Sequence, residues 1–162
     1  MTTGDPKEKK KHVVAYTDGS CSENPGGPGG WGAILVYQGH EKSISGNDPC
    51  TTNNRMEMTA AIRALECLKE PCRVTLHSDS AYLVDAFNKG WLRFWQRNGW
   101  RRTTGDPAKN VELWQRLIAL GETHDVTYVK VKGHSDDVYN NLCDKLATQE
   151  TANAKAQNQP PA

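Results

Sequence analysis

Residues 13–20 read Val-Val-Ala-Tyr-Thr-Asp-Gly-Ser. Val13 to Thr17 is a β-branched and aromatic run of strand character, and it stops on a carboxylate, a glycine and a hydroxyl. An acid inside an apolar strand is buried at a heavy cost or neutralised, whereas an acid at a strand end opens onto a cleft. The pattern recurs further on, where Val74 to Leu76 runs into His-Ser-Asp-Ser and leaves Asp79 at a second strand end. Between them, Gly26-Gly-Pro-Gly-Gly30 reads as a turn too rich in glycine for regular structure. Trp31 to Tyr37 alternates as a second strand and Glu41 to Gly46 returns as a third, which makes an antiparallel meander.

From Thr52 the period changes. Met56, Ala60, Ile62, Ala64, Leu65 and Leu68 fit an amphipathic helix that Asn53 or Asn54 can cap and Pro71 closes. Arg73 to Ser78 follows as a strand, Ala81 to Phe87 as a short helix, Val111 to Leu120 as another helix, Val126 to Val131 as a strand, and Val138 to Thr148 as the last helix. The order is hairpins first and helices between the later strands. That predicts an α/β fold with a mixed sheet covered by helices. Residues 1–11 read as a disordered basic tail, 12–150 as one catalytic domain, and 151–162 as a flexible polar tail.

The net charge of +1 points to no partner, but its distribution does. Lys7, Lys9, Lys10 and Lys11 load the start, while Lys89, Arg93, Arg97, Arg101, Arg102 and Lys109 crowd one later stretch, a pattern suited to a polyanion. No apolar run approaches the ~20 residues of a membrane span. The charged start lacks a signal-peptide pattern, so a cytoplasmic protein is expected, without membrane contact and as a monomer. Cys21, Cys50, Cys67, Cys72 and Cys143 are odd in number and form no Cys-x-x-Cys, which argues against a zinc knuckle or a disulfide framework and for free thiols. Cys67 suits the apolar face of a helix, and Cys21 and Cys143 adjoin suspected site residues without chemistry of their own.

Two more acids join Asp18 and Asp79: Glu57 in Asn-Asn-Arg-Met-Glu and Asp144 in Asn-Leu-Cys-Asp-Lys, both on helical patterns. If the four converge, their repulsion needs a hard cation, Mg²⁺ with Mn²⁺ as substitute. In-line displacement at a phosphodiester needs a water activated on one side and an alkoxide stabilised on the other, and two metal ions ~3.5–4 Å apart do both. Asp18 is then the bridging candidate, Glu57 and Asp79 share one ion, and Asp144 completes the other. His134, in the glycine-bearing Lys-Gly-His-Ser-Asp, can accept or relay a proton or help products leave. Trp91, Trp95, Trp100 and Trp114 lie among the cations of the later stretch, as in a groove for a single strand or a hybrid. Trp114 keeps company with Leu113, Leu117 and Leu120 and is assigned to the core, while Trp91 and Trp95 either pack on the body or touch substrate. The loop 19–30 has neither a dinucleotide fingerprint nor a P-loop ending, and its glycines let backbone amides approach a nucleic acid.

Together, Tyr-Thr-Asp-Gly-Ser with Asn-Pro-Gly, Thr-Thr-Asn-Asn-Arg-Met-Glu, Ser-Asp-Ser, Lys-Asn-Val-Glu-Leu-Trp-Gln and Gly-His…Asn…Cys-Asp resemble, in order and spacing, the bacterial type 1 ribonuclease H family over about residues 12 to 150. The resemblance implies a ribonuclease H-like fold, a five-stranded mixed sheet with helices on both sides. It also implies metal-dependent hydrolysis of the RNA strand of RNA–DNA hybrids to 5′-phosphate and 3′-hydroxyl ends. By position, Asp18, Glu57, Asp79 and Asp144 match the metal carboxylates and His134 the catalytic loop histidine. Asn24, Asn53 and Asn54 match contacts near the minor groove, Thr52 and Asn110 a pocket for a DNA phosphate, and Trp91 to Arg102 a substrate-gripping protrusion with Trp91, Arg93, Trp95, Arg97, Arg101 and Arg102. Cys21 is counted with the residues that line the substrate. Cys50, Asp136 and Asn141 depart from the family's arginine, glycine and glutamate.

Overall fold

The computed structural model describes residues 10–132 and 137–158. The elements follow the expected order: β1 (Lys11–Cys21), β2 (Gly29–Tyr37), β3 (His40–Asp48), α1 (Asn53–Glu66), β4 (Cys72–Ser78), α2 (Ala81–Asn88), α3 (Trp91–Arg97), α4 (Val111–Thr123), β5 (Asp125–Lys130) and α5 (Val138–Asn158). The five strands form one mixed sheet in the order β3-β2-β1-β4-β5. β1 lies at its centre, antiparallel to β2 with Asp18 opposite Gly32, and parallel to β4 with Tyr16 opposite His77. β4 and β5 are again parallel.

Helices cover both faces. A methyl group on Gly29 would meet Thr51 and Met56 at the start of α1, whereas one on Gly30 would meet Ala147, Glu150 and Thr151 of α5. Successive strand residues point to opposite faces, so α1 and α5 sandwich the sheet. The α1 side holds the main core, one cluster that includes Val74, Leu76, Met58, Leu65, Leu83, Leu117 and the fully buried Trp114. Among the described residues, no helix is long and apolar enough to cross a membrane.

Three local expectations change. Gly29 and Gly30, read as turn, belong to β2 and pair with Cys21 and Ser20. Their missing side chains serve packing, because a Cβ on Gly30 would lie 2.5 Å from the Ala147 carbonyl oxygen and the Thr151 nitrogen. The cap of α1 is Thr52, in place of Asn53 or Asn54, since its extended backbone (φ −137°) lets Oγ1 accept from the Arg55 N–H at 3.1 Å. Finally, α5 runs ten residues beyond Thr148, so positions 151–158, read as tail, are helical. Ala147, Thr151 and Ala154 are buried along one stripe, and Glu150 accepts from Ser45 (2.9 Å) and Asn47 (3.2 Å) of β3. Alanine and threonine carry too little hydrophobicity to reveal that face in the sequence.

The Gly30 contact is with rigid backbone and therefore costly to disturb. Gly30→Ala is expected to lower the unfolding free energy by about 1–3 kcal/mol, read as a lower urea midpoint at unchanged m. Gly121→Ala is the control: its new methyl meets open space inside α4, and the change should be neutral or stabilising by up to ~1 kcal/mol.

Candidate active site

Because β1 and β4 run parallel side by side, their carboxyl ends deliver Asp18 and Asp79 to the same edge of the sheet. Glu57 arrives from α1 through an unusually close approach. A Cβ on Gly19 would sit 2.4 Å from the Glu57 nitrogen and 2.6 Å from the Met56 carbonyl carbon, so only hydrogen lets β1 rest against the helix backbone there. One carboxylate oxygen each from Asp18, Glu57 and Asp79 then lies within 4.8 Å of the others. Asp144, exposed on α5, lines the same cleft of about 510 Å³ but stands outside this tight group. The rest of the wall comes from Ser20, Cys21, Asn53, Asn54, Ser80 and Tyr82.

Asp18 and Glu57 are only 6% and 8% exposed. Burial, then the negative charge of Asp79, pushes Asp18 up to about 7, although the Gly19 N–H donates to its Oδ1 at 2.9 Å. Burial followed by the charge of Asp18 holds Glu57 well above the usual carboxylate range. Glu57 Oε2 is buried and accepts no hydrogen bond from any described residue. A buried acceptor without a donor is expensive, and a proton or a cation can satisfy it. All three ligand atoms are hard carboxylate oxygens, which fits an oxygen-seeking divalent ion. The neighbouring Cys143 thiol is no competitor: burial pushes it up to about 12, and its Sγ donates to the Tyr16 carbonyl at 3.2 Å.

The glycine loop is fastened to the start of α1. The Asn53 N–H donates to Asn24 Oδ1 (3.2 Å), Gly26 N–H to the Thr51 carbonyl (2.8 Å) and Thr51 N–H to the Gly27 carbonyl (2.9 Å). Cys21 faces the carbonyls of Thr51 and Gly27 at 3.4 and 3.5 Å, and burial pushes its thiol up, so it acts as a fastening beside the cleft. Thr52 and Asn110 are joined by Arg55, a residue to which the sequence pattern assigned no role. Arg55 donates its backbone N–H to Thr52 and its Nη1 to Asn110 Oδ1 (3.1 Å) and Glu112 Oε1 (2.6 Å). Its place two residues before Glu57 on one helix was the available signal. Tyr82 was missed as well, hidden in the apolar pattern of α2.

The basic segment splits. Arg93, Arg97, Arg101 and Arg102 are exposed, with Arg101 reaching the Gly105 carbonyl (3.0 Å) and Arg102 lying 3.6 Å from Asp106. Trp91 and Trp95 are half-buried against the core, with the Trp95 ring 5.8 Å from Trp114. Phe94, 39% exposed, is the outward aromatic that the tryptophan pattern hid. Cys50 and Asn141 are exposed. His134 and Asp136 lie outside the described residues.

A model of the RNase H family matches residues 10–152. The chain is 62% identical over 138 residues to the ribonuclease H of Chlorobaculum parvum, covering 85% of this chain and 94% of that relative. Among solved structures, LC9-RNase H1, a type 1 RNase H with the type 2 active-site motif, superposes with a TM-score of 0.78 at 30% identity, over 90% of this chain and 74% of that one. A foamy viral protease-reverse transcriptase in complex with RNA/DNA hybrid superposes with a TM-score of 0.72 at 26% identity, over 94% of this chain and 22% of that one.

The raised acids tie stability to pH. Folded Asp18 keeps its proton up to about 7, while the unfolded chain releases it near ~4. Between those values the folded state binds more protons, so the metal-free protein loses stability as pH rises through this window. Asp18→Asn removes the effect and should become more stable than the wild type by on the order of 2–4 kcal/mol at pH 8, with little difference at pH 4. Denaturation in EDTA across that range measures it, and added Mg²⁺ should close the gap.

Proposed function

Since the chain belongs to the RNase H family, of the bacterial type 1 kind, we infer that it is an endoribonuclease that hydrolyses the RNA strand of RNA–DNA hybrids, leaving 5′-phosphate and 3′-hydroxyl ends. The observation that carries the reading is the meeting of Asp18, Glu57 and Asp79, two of them buried, with one oxygen left without a donor. These acids and Asp144 would hold two Mg²⁺ ions, or Mn²⁺ in their stead, which would supply Lewis-acid chemistry and a nucleophile at neutral pH.

The protein's own residues do the rest. Asp18 would present its carboxylate from the central strand, and Asp144 would add one from α5 on the same cleft. His134, four residues before α5 in the sequence, would take or relay a proton or assist release of product. Asn24, Asn53 and Asn54 stand at the rim formed by the glycine loop and the start of α1, suited to reading the 2′-hydroxyl across a shallow minor groove. That hydroxyl is what distinguishes the RNA strand chemically. Thr52, Arg55 and Asn110 form a linked polar patch for a phosphate of the DNA strand. The four exposed arginines follow the backbone, while Trp91 and Trp95 support them from the core side. The hybrid bound to the foamy viral neighbour supports the substrate class. The five free thiols support a reducing, cytoplasmic setting, and the protein is read as a monomer.

A labelled hybrid incubated with Mg²⁺, beside DNA and RNA duplex controls, should be the only substrate cut, and EDTA should stop the cutting. Asp79→Asn should lower kcat by more than the roughly 10–100-fold that loss of a supporting group costs, with hybrid affinity in EDTA largely kept. Equal cleavage of an RNA duplex, or a wild-type rate from this variant, would sink the reading.

Neutralising Arg93, Arg97, Arg101 and Arg102 together should raise KM for long hybrids. It should also flatten the log–log salt dependence by roughly 0.7–0.9 for each phosphate that is no longer neutralised. An unchanged slope means that these arginines are only a solvated face.

A further inference from the structure

Tyr82 sits on the cleft wall in the first turn of α2, between the acids and the Arg55–Asn110 patch. Two side chains point hydrogen-bond donors at its hydroxyl: Asn110 Nδ2 at 3.2 Å and Trp114 Nε1 at 3.3 Å. Neither direction is ambiguous. An indole nitrogen can only donate, and the Asn110 amide is oriented by Arg55, a pure donor that claims Asn110 Oδ1 at 3.1 Å. The Tyr82 oxygen therefore accepts twice, which occupies its lone pairs and leaves its own O–H to be donated elsewhere. Among the described residues no acceptor receives it. Trp114 is fully buried and its ring packs 5.2 Å from that of Tyr82, while Asn110 is held in a left-handed conformation (φ 62°) at the start of α4. The hydroxyl is consequently fixed in place before any ligand arrives, and preorganised donors bind most economically.

We propose that the Tyr82 hydroxyl is a substrate-binding group that donates a hydrogen bond to a backbone phosphate oxygen of the bound nucleic acid. The inference rests on the hybrid-nuclease reading and adds a residue to it. A phosphate is the acceptor that fits, because the Arg55 guanidinium lies on the other side of Asn110 and favours an anion over a neutral oxygen. Arg55 is itself partly balanced by Glu112, so a short neutral donor such as a phenol provides direction where the cation provides charge. The Arg55–Asn110–Tyr82–Trp114 chain thereby links the helix that carries Glu57 to the core of the domain, and strand position to the reacting phosphate.

The test is Tyr82→Phe, which keeps the ring against Trp114 and removes only the oxygen. Affinity for a short hybrid is measured in EDTA, where no cleavage proceeds, with single methylphosphonates placed in turn along each strand. The expected result is an affinity about 5–20-fold weaker, kcat at saturating hybrid within about threefold of wild type, and one phosphate whose replacement weakens the wild type but not the variant. Undiminished affinity overturns the proposal. So does a weakening accompanied by an unchanged methylphosphonate profile, which would make Tyr82 merely a support for Asn110 and Trp114. Coupling to a 2′-deoxy substitution in place of a methylphosphonate would overturn the phosphate assignment. If Tyr82→Phe is too unstable to assay, 3-fluorotyrosine at position 82 separates the same roles, since fluorine strengthens the phenol as donor and weakens it as acceptor. Tighter binding is then expected, and looser binding contradicts the proposal. A wild-type protein that neither binds nor cuts hybrid would instead bring down the nuclease reading itself.

Discussion

Everything at the cleft depends on the contact between Gly19 and the backbone of α1. With a Cβ at position 19 pressing within 2.4 Å of the Glu57 nitrogen, strand and helix would have to part. Glu57 would then leave the company of Asp18 and Asp79. Both acids are buried beside this contact, and that desolvation, more than the mutual repulsion, is the first cause of both raised pKa values. A shared geometric constraint thus sets both the spacing of the acids and their need for a cation.

The arrangement opposes stability, and the fold compensates elsewhere. Charged carboxylates out of water destabilise a metal-free protein at neutral pH. The compensation lies in a core centred on Trp114 under one face of the sheet and in α5 laid tightly across the other. Gly30 and Gly32 permit that second contact, and α5 is also the element that carries Asp144 to the cleft. Packing and chemistry therefore share residues: the same glycines that bring backbones together aim the acids.

Much of this was legible in the residues. Acids after two strand-like runs, at Asp18 and Asp79, announced a cleft at strand ends, and the change of period after Thr52 announced the helix that carries Glu57. Trp114 read as core because leucines surround it at helical spacing, and it is fully buried. Illegible features had physical reasons. The last turns of α5 bury alanine and threonine, which give no amphipathic signal. Glycines 29 and 30 look like a turn unless the helix that will press on them is known. Arg55 and Tyr82 gain their meaning only from partners more than twenty residues away, Asn110 and Glu112 for the one and Asn110 and Trp114 for the other. No local pattern encodes such pairs.

If a divalent ion takes the place that protons hold in the buried acids, its binding must expel those protons. Titration calorimetry of the wild-type protein with Mg²⁺, repeated in buffers of different protonation enthalpy, counts them directly. Proton release should be greater at pH 6 than at pH 8, because Asp18 loses its proton through about 7, and it should shrink in Asp18→Asn. Binding of Mg²⁺ with no proton release at any pH would contradict the picture of desolvated carboxylates that hold protons at this site.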